Sequence, residues 1–480
     1  MELSTIEPAI ALSPLDGRYR PQTAPLVDFL SEAGLNRERV AIEVEWMILL
    51  TNGYESNGFR PVLPGLEPLR EPQIDYLRSL VSDFDNTSIA QLAEFEAHTH
   101  HDVKAVEYFI DRRMEEADEQ LSRDPSLTHL EALVHFGCTS EDINNIAYAR
   151  AVKAAIERVW IPRLQELVNE LTTMSQEFRS IPMLAMTHGQ PATPTTLGKE
   201  LAVYVYRLNR QLKHLEQQEY LGKWNGATGT FGASLAANDQ VNWIELSRLF
   251  VSERMGLDWN PLTTQIESHD WQAELYSTIA HTNRILHNLA VDMWMYISRG
   301  VFAQVPVTGA TGSSTMPHKV NPIRFENAEA NLEMSCAILE SLASTLVESR
   351  WQRDLTDSST QRNIGSGIGH SLLAIDNLLT GLRGIHPNTL AMSQELEGNW
   401  EVLGEPIQTA MRAAALENRP GMEHPYEQVK ELMRGKAISK EQVEEFIRSL
   451  ALDPEVKERL AQLTPATYTG LADKLVDFEA

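Results

Sequence analysis

The sequence predicts an all-α protein built around a central bundle of five long helices. Leucine-rich stripes that step alternately by three and four residues recur five times, while strand-like alternation is nearly absent. The stripes cover 160–171, 201–215, 275–296, 332–346 and 372–382. Pro162 interrupts the first stripe and would kink that helix. Spacing close to 3.5 residues favours shallow crossing angles, as in helical bundles.

The chain has 480 residues, which is too long for one compact core, so it should divide into domains. Turn signals at 124–126 and 386–388 suggest the boundaries. We therefore expect an N-terminal helical domain at 1–128, a central helical-bundle domain at 129–383 and a C-terminal helical domain at 384–480. The segments 60–65 and 305–322 are rich in Pro and Gly and are expected to be loops.

The charge balance restricts the partners of this protein. It has 41 Lys and Arg against 67 Asp and Glu, a formal net charge of −26. Binding to nucleic acid or to anionic membrane is therefore not expected. Any anionic substrate must instead meet a local cluster of basic residues.

Several features argue for a soluble, cytoplasmic protein. Secretory signals have a basic region followed by an apolar one, and the N-terminus shows neither. No apolar run reaches the ~18 residues of a membrane span, because Asp292 breaks the nearest candidate. Cys138 and Cys336 form no Cys-x-x-Cys pair, which fits a reducing compartment.

Polar residues gather in four segments that are predicted to be loops between the helices. The segments read HTHHD at 98–102, CTSED at 138–142, THGQPATP at 187–194 and GSSTMPHKVNP at 312–322. Each has a purely structural explanation as well. Ser and Thr often cap helices, a buried histidine can donate to a carbonyl, and Lys319 by itself would be a solvated charge. An unactivated serine hydroxyl is also a poor base.

Metal and nucleotide motifs do not fit these segments. The HTHHD run superficially resembles the His-x-His-x-Asp-His motif of metallo-β-lactamase-like hydrolases. Val103 stands where the last histidine is needed, and the surroundings are helical, so no metal site is predicted. There is no P-loop pattern, and His370 occupies the last glycine position of G-x-G-x-x-G in the run that starts at Gly365.

The segment GSSTMPHKVNP resembles the signature loop of the fumarase/aspartase superfamily, whose members release fumarate or a relative of it by β-elimination. The segments SPLDGRYR, HHDVKAVEYF, HFGCTSEDINN, THGQPATPTTLGKE, TTQIE and SRWQRDLTDSS are similar to those of bacterial members of the adenylosuccinate lyase family. The resemblance covers almost the whole chain. It implies a three-domain fumarase/aspartase-like fold, no cofactor, and a homotetramer whose active sites are shared between subunits. The substrates would be adenylosuccinate and SAICAR, cleaved to fumarate and AMP or AICAR in purine biosynthesis.

The resemblance also implies five catalytic residues. Ser313 would be the general base, on a mobile loop that closes over the substrate. His188 matches the general acid that protonates the departing nitrogen, and a histidine suits this role because its pKa lies near neutrality. His101 matches the histidine that contacts the phosphate and supports the acid, although sequence alone leaves open which histidine is the acid. Lys319 would hold the succinyl carboxylate and the developing charge, and Glu326 would orient His188.

Further positions match the family's substrate ligands, which must hold one phosphate and two carboxylates. They are Arg18, Tyr19, His100, Asp102, Thr139, Ser140, Gln265, Asn321, Asn327, Arg353, Ser358, Ser359 and Arg362. Arginine suits bidentate capture of anions, and free N–H groups at a helix start suit carboxylates. His100 departs from the family pattern, in which bacterial members carry Asn, and it adds a titratable group.

Alternative functions remain within the same superfamily. Argininosuccinate lyase, fumarase, aspartase and the lactonising enzymes share the GSSTMPHKVNP-type loop, whereas the Arg18-Tyr19 pair and WQRDLTDSS favour the purine substrates. A helical scaffold that has lost its activity is the alternative outside enzymes. Its catalytic positions should be damaged, yet all four of the following are present: Ser313, His188, His101 and Lys319.

Overall fold

A computed structural model describes residues 11–55, 58–120, 127–305, 316, 318–433 and 438–478, and helices dominate it. The first helices are α1 (Arg20–Thr23), α2 (Val27–Leu30), α3 (Glu32–Asn52), α4 (Glu71–Ser82), α5 (Asn86–Thr99), α6 (Asp102–Gln120) and α7 (Ser140–Ala155). The middle of the chain forms α8 (Ile161–Glu177), α9 (Leu197–Leu215), α10 (Gly232–Ala237), α11 (Trp243–Leu249), α12 (Asp270–Ser298), α13 (Ile323–Leu346), α14 (Thr356–Gln361) and α15 (Ile364–Arg383). The C-terminal helices are α16 (Thr389–Glu397), α17 (Gly404–Leu416), α18 (Pro425–Met433), α19 (Lys440–Ser449), α20 (Pro454–Ala461) and α21 (Ala472–Leu475).

The strands of the described residues form three two-stranded sheets. The pairs are antiparallel β1 (Pro182–Thr187) with β2 (Gln190–Thr196), parallel β3 (Leu221–Gly222) with β4 (Asp258–Trp259), and antiparallel β5 (Phe302–Gln304) with β6 (Ile385–Pro387). The loop predicted at 187–194 is therefore mostly strand. The prolines of this segment argued against a strand. A two-stranded sheet leaves one edge of each strand unpaired, however, so residues without an N–H are tolerated there. The loop at 60–65 is confirmed, and so are the described residues of the loop at 305–322.

The chain forms two compact units that interleave along the sequence. The first contains Met1–Leu164, His214–Arg284 and Asn331–Asp376, and the second contains Gln165–Lys213, Ile285–Ala330 and Asn377–Ala480. The long helices α12, α13 and α15 each contribute residues to both units. The division into three consecutive domains at 1–128, 129–383 and 384–480 stays a prediction.

All five leucine stripes lie within helices, so the helical periodicity is confirmed. The stripe residues are buried, with Tyr296 as the partly exposed member. The interruption at Pro162 takes the form of a π-helical segment, Ile156–Trp160, that joins α7 to α8. A proline has no N–H to donate to the preceding turn, and a wider turn directly before it accommodates this loss.

In the first unit, a buried polar network connects the helices. The amide nitrogen of Asn283 donates to Ser335 Oγ at 2.9 Å, and Ser335 donates to the Gly367 carbonyl at 2.7 Å. Ser371 donates to the Asn283 amide oxygen at 2.7 Å and accepts from the Trp160 indole at 2.9 Å. The network explains why a serine interrupts the leucine stripe of α13. Each of these buried side chains has a partner, so the network favours one register of α12, α13 and α15.

In the second unit, polar pairs join the same long helices. Tyr204 on α9 donates to Asp292 on α12, so the charge that breaks the apolar run of α12 has a hydrogen-bond partner. Arg383 on α15 donates to Glu170 at 2.9 Å and to Glu166 at 3.0 Å on α8. The described contacts of each unit therefore link long helices in the way a bundle requires.

Gly198, the second residue of α9, allows a close backbone contact in the second unit. A Cβ atom there would lie 2.3 Å from the Ser175 carbonyl oxygen and 2.5 Å from Arg179 Cα. The Gly198 N–H donates to the Phe178 carbonyl at 3.1 Å. The start of α9 and the chain that leads into β1 therefore pack backbone against backbone.

We expect Gly198→Ala to lower the free energy of unfolding by about 1–3 kcal/mol, because the added methyl group must displace backbone rather than a flexible side chain. Thermal unfolding followed by circular dichroism should show a lower midpoint. Gly232→Ala is the matched control, since a Cβ there would meet only Thr230 Oγ1 at 3.5 Å. Equal midpoints for the two variants would contradict the close contact.

Candidate active site

The sequence-predicted site residues divide between the two compact units. The first unit holds Arg18, Tyr19, His100, His101, Asp102, Thr139, Ser140, Gln265, Arg353, Ser358, Ser359 and Arg362. The second holds His188, Lys319, Asn321, Glu326 and Asn327. Ser313 lies outside the described residues.

His100 and His101 occupy the junction between α5 and α6. Helix α5 ends at Thr99, and the C-cap residue His100 adopts the left-handed conformation with φ 52° and ψ 30°. Asn is favoured in this conformation, and His is one of the few other residues that populate it. The departure from the family pattern therefore keeps a residue that this backbone tolerates.

His101 caps the start of α6. Its Nδ1 atom accepts a hydrogen bond from the Lys104 N–H at 3.2 Å, so in the neutral ring the proton is carried by Nε2. The side chain is half exposed. The geometry thus leaves the Nε2–H as a donor available to a ligand, as expected for a histidine that contacts a phosphate.

Asp102 lies against two arginines, of which Arg39 is buried and Arg362 is exposed. Its Oδ2 accepts from Arg39 Nη2 at 2.7 Å and lies 3.6 Å from Arg362 Nη2. Burial disfavours the charged carboxylate, but the Arg39 charge and the hydrogen bonds from Arg39 and the Val103 N–H outweigh it and keep the pKa of Asp102 below its usual value. Asp102 is therefore an ionised anchor for two arginines.

Arg362, directly after α14, is also paired with Glu32. Its Nη1 donates to Glu32 Oε1 at 2.7 Å, and both side chains are largely exposed. An exposed pair of this kind is weak, so a phosphate or carboxylate can replace Glu32 at little cost.

The N-terminus of α7 carries Thr139 and Ser140. Thr139 is the N-cap in extended conformation, and its N–H donates to Asp142 Oδ2 at 2.8 Å. The first turn of a helix presents N–H groups that lack partners within the helix, and the helix dipole favours an anion there. Both residues are partly exposed, as a carboxylate-binding position requires.

Arg353 connects three of the predicted ligand segments. Its Nη2 lies 2.9 Å from Glu141 Oε1 and donates to Ser358 Oγ at 3.1 Å, and its Nη1 donates to Gln265 Oε1 at 3.3 Å. Its Nε–H donates to the Asp354 carbonyl at 3.4 Å. The arginine therefore already has internal partners, and bidentate capture of a substrate anion would require it to exchange some of them.

The remaining candidates of the first unit lie at its surface. Arg18 is exposed, and its guanidinium carbon lies 6.0 Å from the ring centroid of Tyr19. The two residues directly precede α1. Ser359 is exposed on α14, one position after Ser358.

His188 stands at the tip of the β1–β2 hairpin in the second unit. Thr187 pairs with Gln190, which leaves His188 and Gly189 as a two-residue turn. Both have positive φ, 53° and 71°, as in the type I′ turns that match the twist of a hairpin. The imidazole is exposed on this rigid turn, so it can reach a ligand without being buried in the protein.

The second unit also holds the described residues after the predicted loop. Lys319 is exposed, and its N–H donates to the Met316 carbonyl at 3.1 Å. Asn321 and Asn327 are partly exposed. Glu326, in the first turn of α13, accepts a hydrogen bond from the Trp294 indole at 3.1 Å. Its orienting role toward His188 stays a prediction.

Sequence reasoning missed two histidines near the candidate site segments, His135, which is partly buried, and His269, which is buried. The main-chain N–H of His135 donates to Glu43 at 2.9 Å, and its ring Nδ1 lies 2.7 Å from the same carboxylate. Burial lowers the pKa of His135, but the hydrogen bond and charge of Glu43 outweigh burial and raise the pKa. His269 places Nε2 3.4 Å from Asp357 Oδ2, beneath Ser358. Charged residues inside apolar runs, such as Glu43 within α3, were the available signal.

Sequence reasoning also missed Arg39. It is buried in α3, where its Nε–H donates to Asn144 Oδ1 at 2.9 Å.

Among the described residues, no group of three or more His, Cys, Asp or Glu side chains is arranged to hold a metal ion. The described helices also include none that is long and apolar enough to cross a bilayer.

Comparison with known proteins identifies the family. A family model described as lyase matches residues 17–338, and one described as adenylosuccinate lyase C-terminal matches residues 349–469. The adenylosuccinate lyases of Haemophilus influenzae and Escherichia coli K12 are 43% and 44% identical over 477 residues, and each alignment covers 99% of both chains. The adenylosuccinate lyase of Buchnera aphidicola from Acyrthosiphon pisum is 40% identical over the same length.

Solved structures agree on the fold. A 3-carboxy-cis,cis-muconate lactonizing enzyme from Pseudomonas putida has a TM-score of 0.70 at 18% identity, covering 95% of this chain and 96% of that one. A fumarate lyase from Mesorhizobium sp. BNC1 has a TM-score of 0.74 at 17% identity, covering 95% and 97%. At these identities the likeness concerns the fold, and the predicted all-α fumarase-like fold is confirmed. The two family models and the full-length relatives together show that the chain belongs to the adenylosuccinate lyase family.

Proposed function

We propose that this protein cleaves adenylosuccinate to AMP and fumarate, and SAICAR to AICAR and fumarate, in purine nucleotide biosynthesis. The observation that carries the proposal is the 43–44% identity to two adenylosuccinate lyases across 99% of each chain. Arginines, histidines and a helix N-terminus at the predicted positions support a substrate with one phosphate and two carboxylates. The reaction uses no cofactor in this proposal.

The chemical difficulty is the removal of a proton from a carbon next to a carboxylate, because the resulting carbanion is very unstable in water. Positive charge and hydrogen-bond donors must be concentrated where negative charge develops. Ser313, ionised to its alkoxide, removes this proton and becomes a neutral hydroxyl, and Lys319 with Asn321 holds the carboxylate. Ser313 lies outside the described residues, so its role is supported by the GSSTMPHKVNP segment. Closure of that segment over the substrate excludes water.

The departing nitrogen must receive a proton as the carbon–nitrogen bond breaks. His188 donates it in this proposal, and Glu326 orients the ring. The exposed position of His188 on a two-residue turn supports this role, because the turn fixes the backbone while the ring stays accessible.

The nucleotide end of the substrate is bound by Arg18, Tyr19 and His101, with the His101 Nε2–H directed to the phosphate. The carboxylate end is bound at the N-terminus of α7 by Thr139 and Ser140. The other proposed substrate ligands are His100, Asp102, Gln265, Asn327, Arg353, Ser358, Ser359 and Arg362. Displacement of Glu32 from Arg362 would free that guanidinium for the substrate.

The proposal extends to assembly and location. A cytoplasmic homotetramer in which each active site combines residues of different subunits is consistent with the acidic chain and with its family. Size-exclusion chromatography with light scattering would measure the oligomeric state directly.

The substrate assignment is tested by incubating the purified protein separately with adenylosuccinate, SAICAR, argininosuccinate and malate. Fumarate release should follow from the first two, measured by its ultraviolet absorbance. Loss of malate is followed in the last case. Turnover of argininosuccinate or malate alone would overturn the assignment and favour another lyase of the superfamily.

We expect His188→Asn to lower kcat by roughly 10²–10⁴-fold, the usual contribution of a general acid, with little change in substrate binding. Asn followed by Gly is well suited to a type I′ turn, so this variant removes the acid and keeps the hairpin. Steady-state kinetics and thermal unfolding measure the two effects separately. Near-native kcat in a folded His188→Asn protein would assign the acid to another residue, with His101 the first candidate.

We expect Ser313→Ala to bind adenylosuccinate while losing turnover by several orders of magnitude, because only the base is removed. Mixing this variant with His188→Asn under conditions of subunit exchange should restore measurable activity if sites are shared. Each variant incubated alone is the control. No recovery after verified exchange would argue against sites that combine residues of different subunits.

A further inference from the structure

A fully buried ion pair lies beneath the proposed carboxylate-binding segments of the first unit. Lys223 Nζ is 2.9 Å from Asp142 Oδ1, and both side chains are 0% exposed. Lysine and aspartate are almost never fully buried unless they are paired. The desolvation of such a pair is costly, and its attraction repays the cost only when further hydrogen bonds satisfy the remaining atoms.

Asp142 accepts hydrogen bonds from the main chain of two separate segments. Its Oδ2 accepts from the Thr139 N–H at 2.8 Å and from the Gly226 N–H at 3.1 Å. Its Oδ1 accepts from the Asn225 N–H at 2.9 Å. One carboxylate therefore fixes the start of α7 and the turn at 225–226 in a single arrangement.

Lys223 anchors the same turn from the other side. Its Nζ donates to the Gly226 carbonyl at 3.3 Å. Its N–H donates to Asn145 Oδ1 at 2.7 Å, and its carbonyl accepts from Asn145 Nδ2 at 3.1 Å. Asn145 lies on α7, so the segment around Lys223 is bound to this helix by main chain and side chain together.

The turn at 225–226, held by Asp142 and Lys223, positions Gln265. The Asn225 amide nitrogen donates to Thr263 Oγ1 at 2.8 Å, and Gln265 Nε2 donates to the Ala227 carbonyl at 3.0 Å. Gln265 in turn accepts from Arg353, which reaches back to Glu141 at the start of α7. These contacts form a closed circuit that runs from α7 through the turn at 225–226, Gln265 and Arg353 back to α7. The buried ion pair is part of this circuit.

We propose that Asp142 and Lys223 are a positioning pair that sets the distance and direction of Thr139 and Gln265 for the carboxylate end of the substrate. Neither residue touches the substrate, because both are completely enclosed. This inference rests on the proposed function, in which Thr139 and Gln265 bind substrate and Arg18, Tyr19 and His101 bind the nucleotide. Loss of the pair should therefore weaken binding of the carboxylate end and spare the nucleotide end.

The test is Lys223→Met, which keeps the apolar stem and removes the charge. We expect the KM for adenylosuccinate and the inhibition constant of fumarate to rise on the order of tenfold, with kcat changed much less. The inhibition constant of AMP should stay at its native value. A purely structural role would not separate the two products.

Two comparisons complete the experiment. Arg150→Met is the matched control. Arg150 lies on α7, the helix that carries Asp142, and it pairs with Glu38 at 2.7 Å, outside the circuit of contacts. It should keep both inhibition constants whatever it costs in stability. The double variant Asp142→Asn/Lys223→Met leaves no lone buried charge, so it should be more stable than Lys223→Met. It should still bind fumarate weakly, because an amide nitrogen would face one of the N–H donors.

The outcomes separate the two claims. A native fumarate constant in folded Lys223→Met, or in the double variant if the single one does not fold, would overturn the positioning role. Equal weakening of fumarate and AMP would also overturn it. Failure of the native protein to cleave adenylosuccinate would instead overturn the proposed function, and it would appear before any variant is compared.

Discussion

Buried polar groups must find partners inside the protein, and this constraint organises both the helices and the candidate site. Asn283 fixes the register of three long helices because it has serine partners on two others. Asp142 does the same for the site segments, since three main-chain N–H groups and Lys223 converge on one carboxylate. In each case apolar packing supplies most of the stability, whereas the polar contacts select one arrangement among several.

Left-handed backbone conformations occur at four histidines in or near the candidate site segments. His100, His135, His188 and His269 have φ values between 52° and 61°, although none of them is glycine. Such conformations cost about 1–3 kcal/mol each and persist only where the surrounding structure enforces them. Here they follow the end of α5, form a hairpin turn and lie in the segments that precede α7 and α12. The rings of His100 and His188 are exposed at these chain reversals, whereas the ring of His269 is buried.

The proposed function requires an acidic chain to bind an anionic substrate, and arginines that exchange their carboxylate partners for the substrate would meet this requirement. Arg362 holds Glu32 and Asp102, and Arg353 holds Glu141. Two arginines of the basic cluster expected from the sequence therefore already have carboxylate partners. In the proposed function a ligand anion would compete for these guanidinium groups, and exposed pairs such as that of Glu32 are the easiest to replace.

The sequence by itself determined the long helices, because a stripe repeating every three to four residues is a local property of the chain. It also identified the family through contiguous motifs such as GSSTMPHKVNP. Only the tertiary structure decided that Arg39 meets Asp102 across 63 positions and that Arg353 meets Gln265 across 88. It also replaced the predicted loop at 187–194 with a hairpin. Contacts between distant residues depend on how elements pack, and no local pattern of residues encodes that packing.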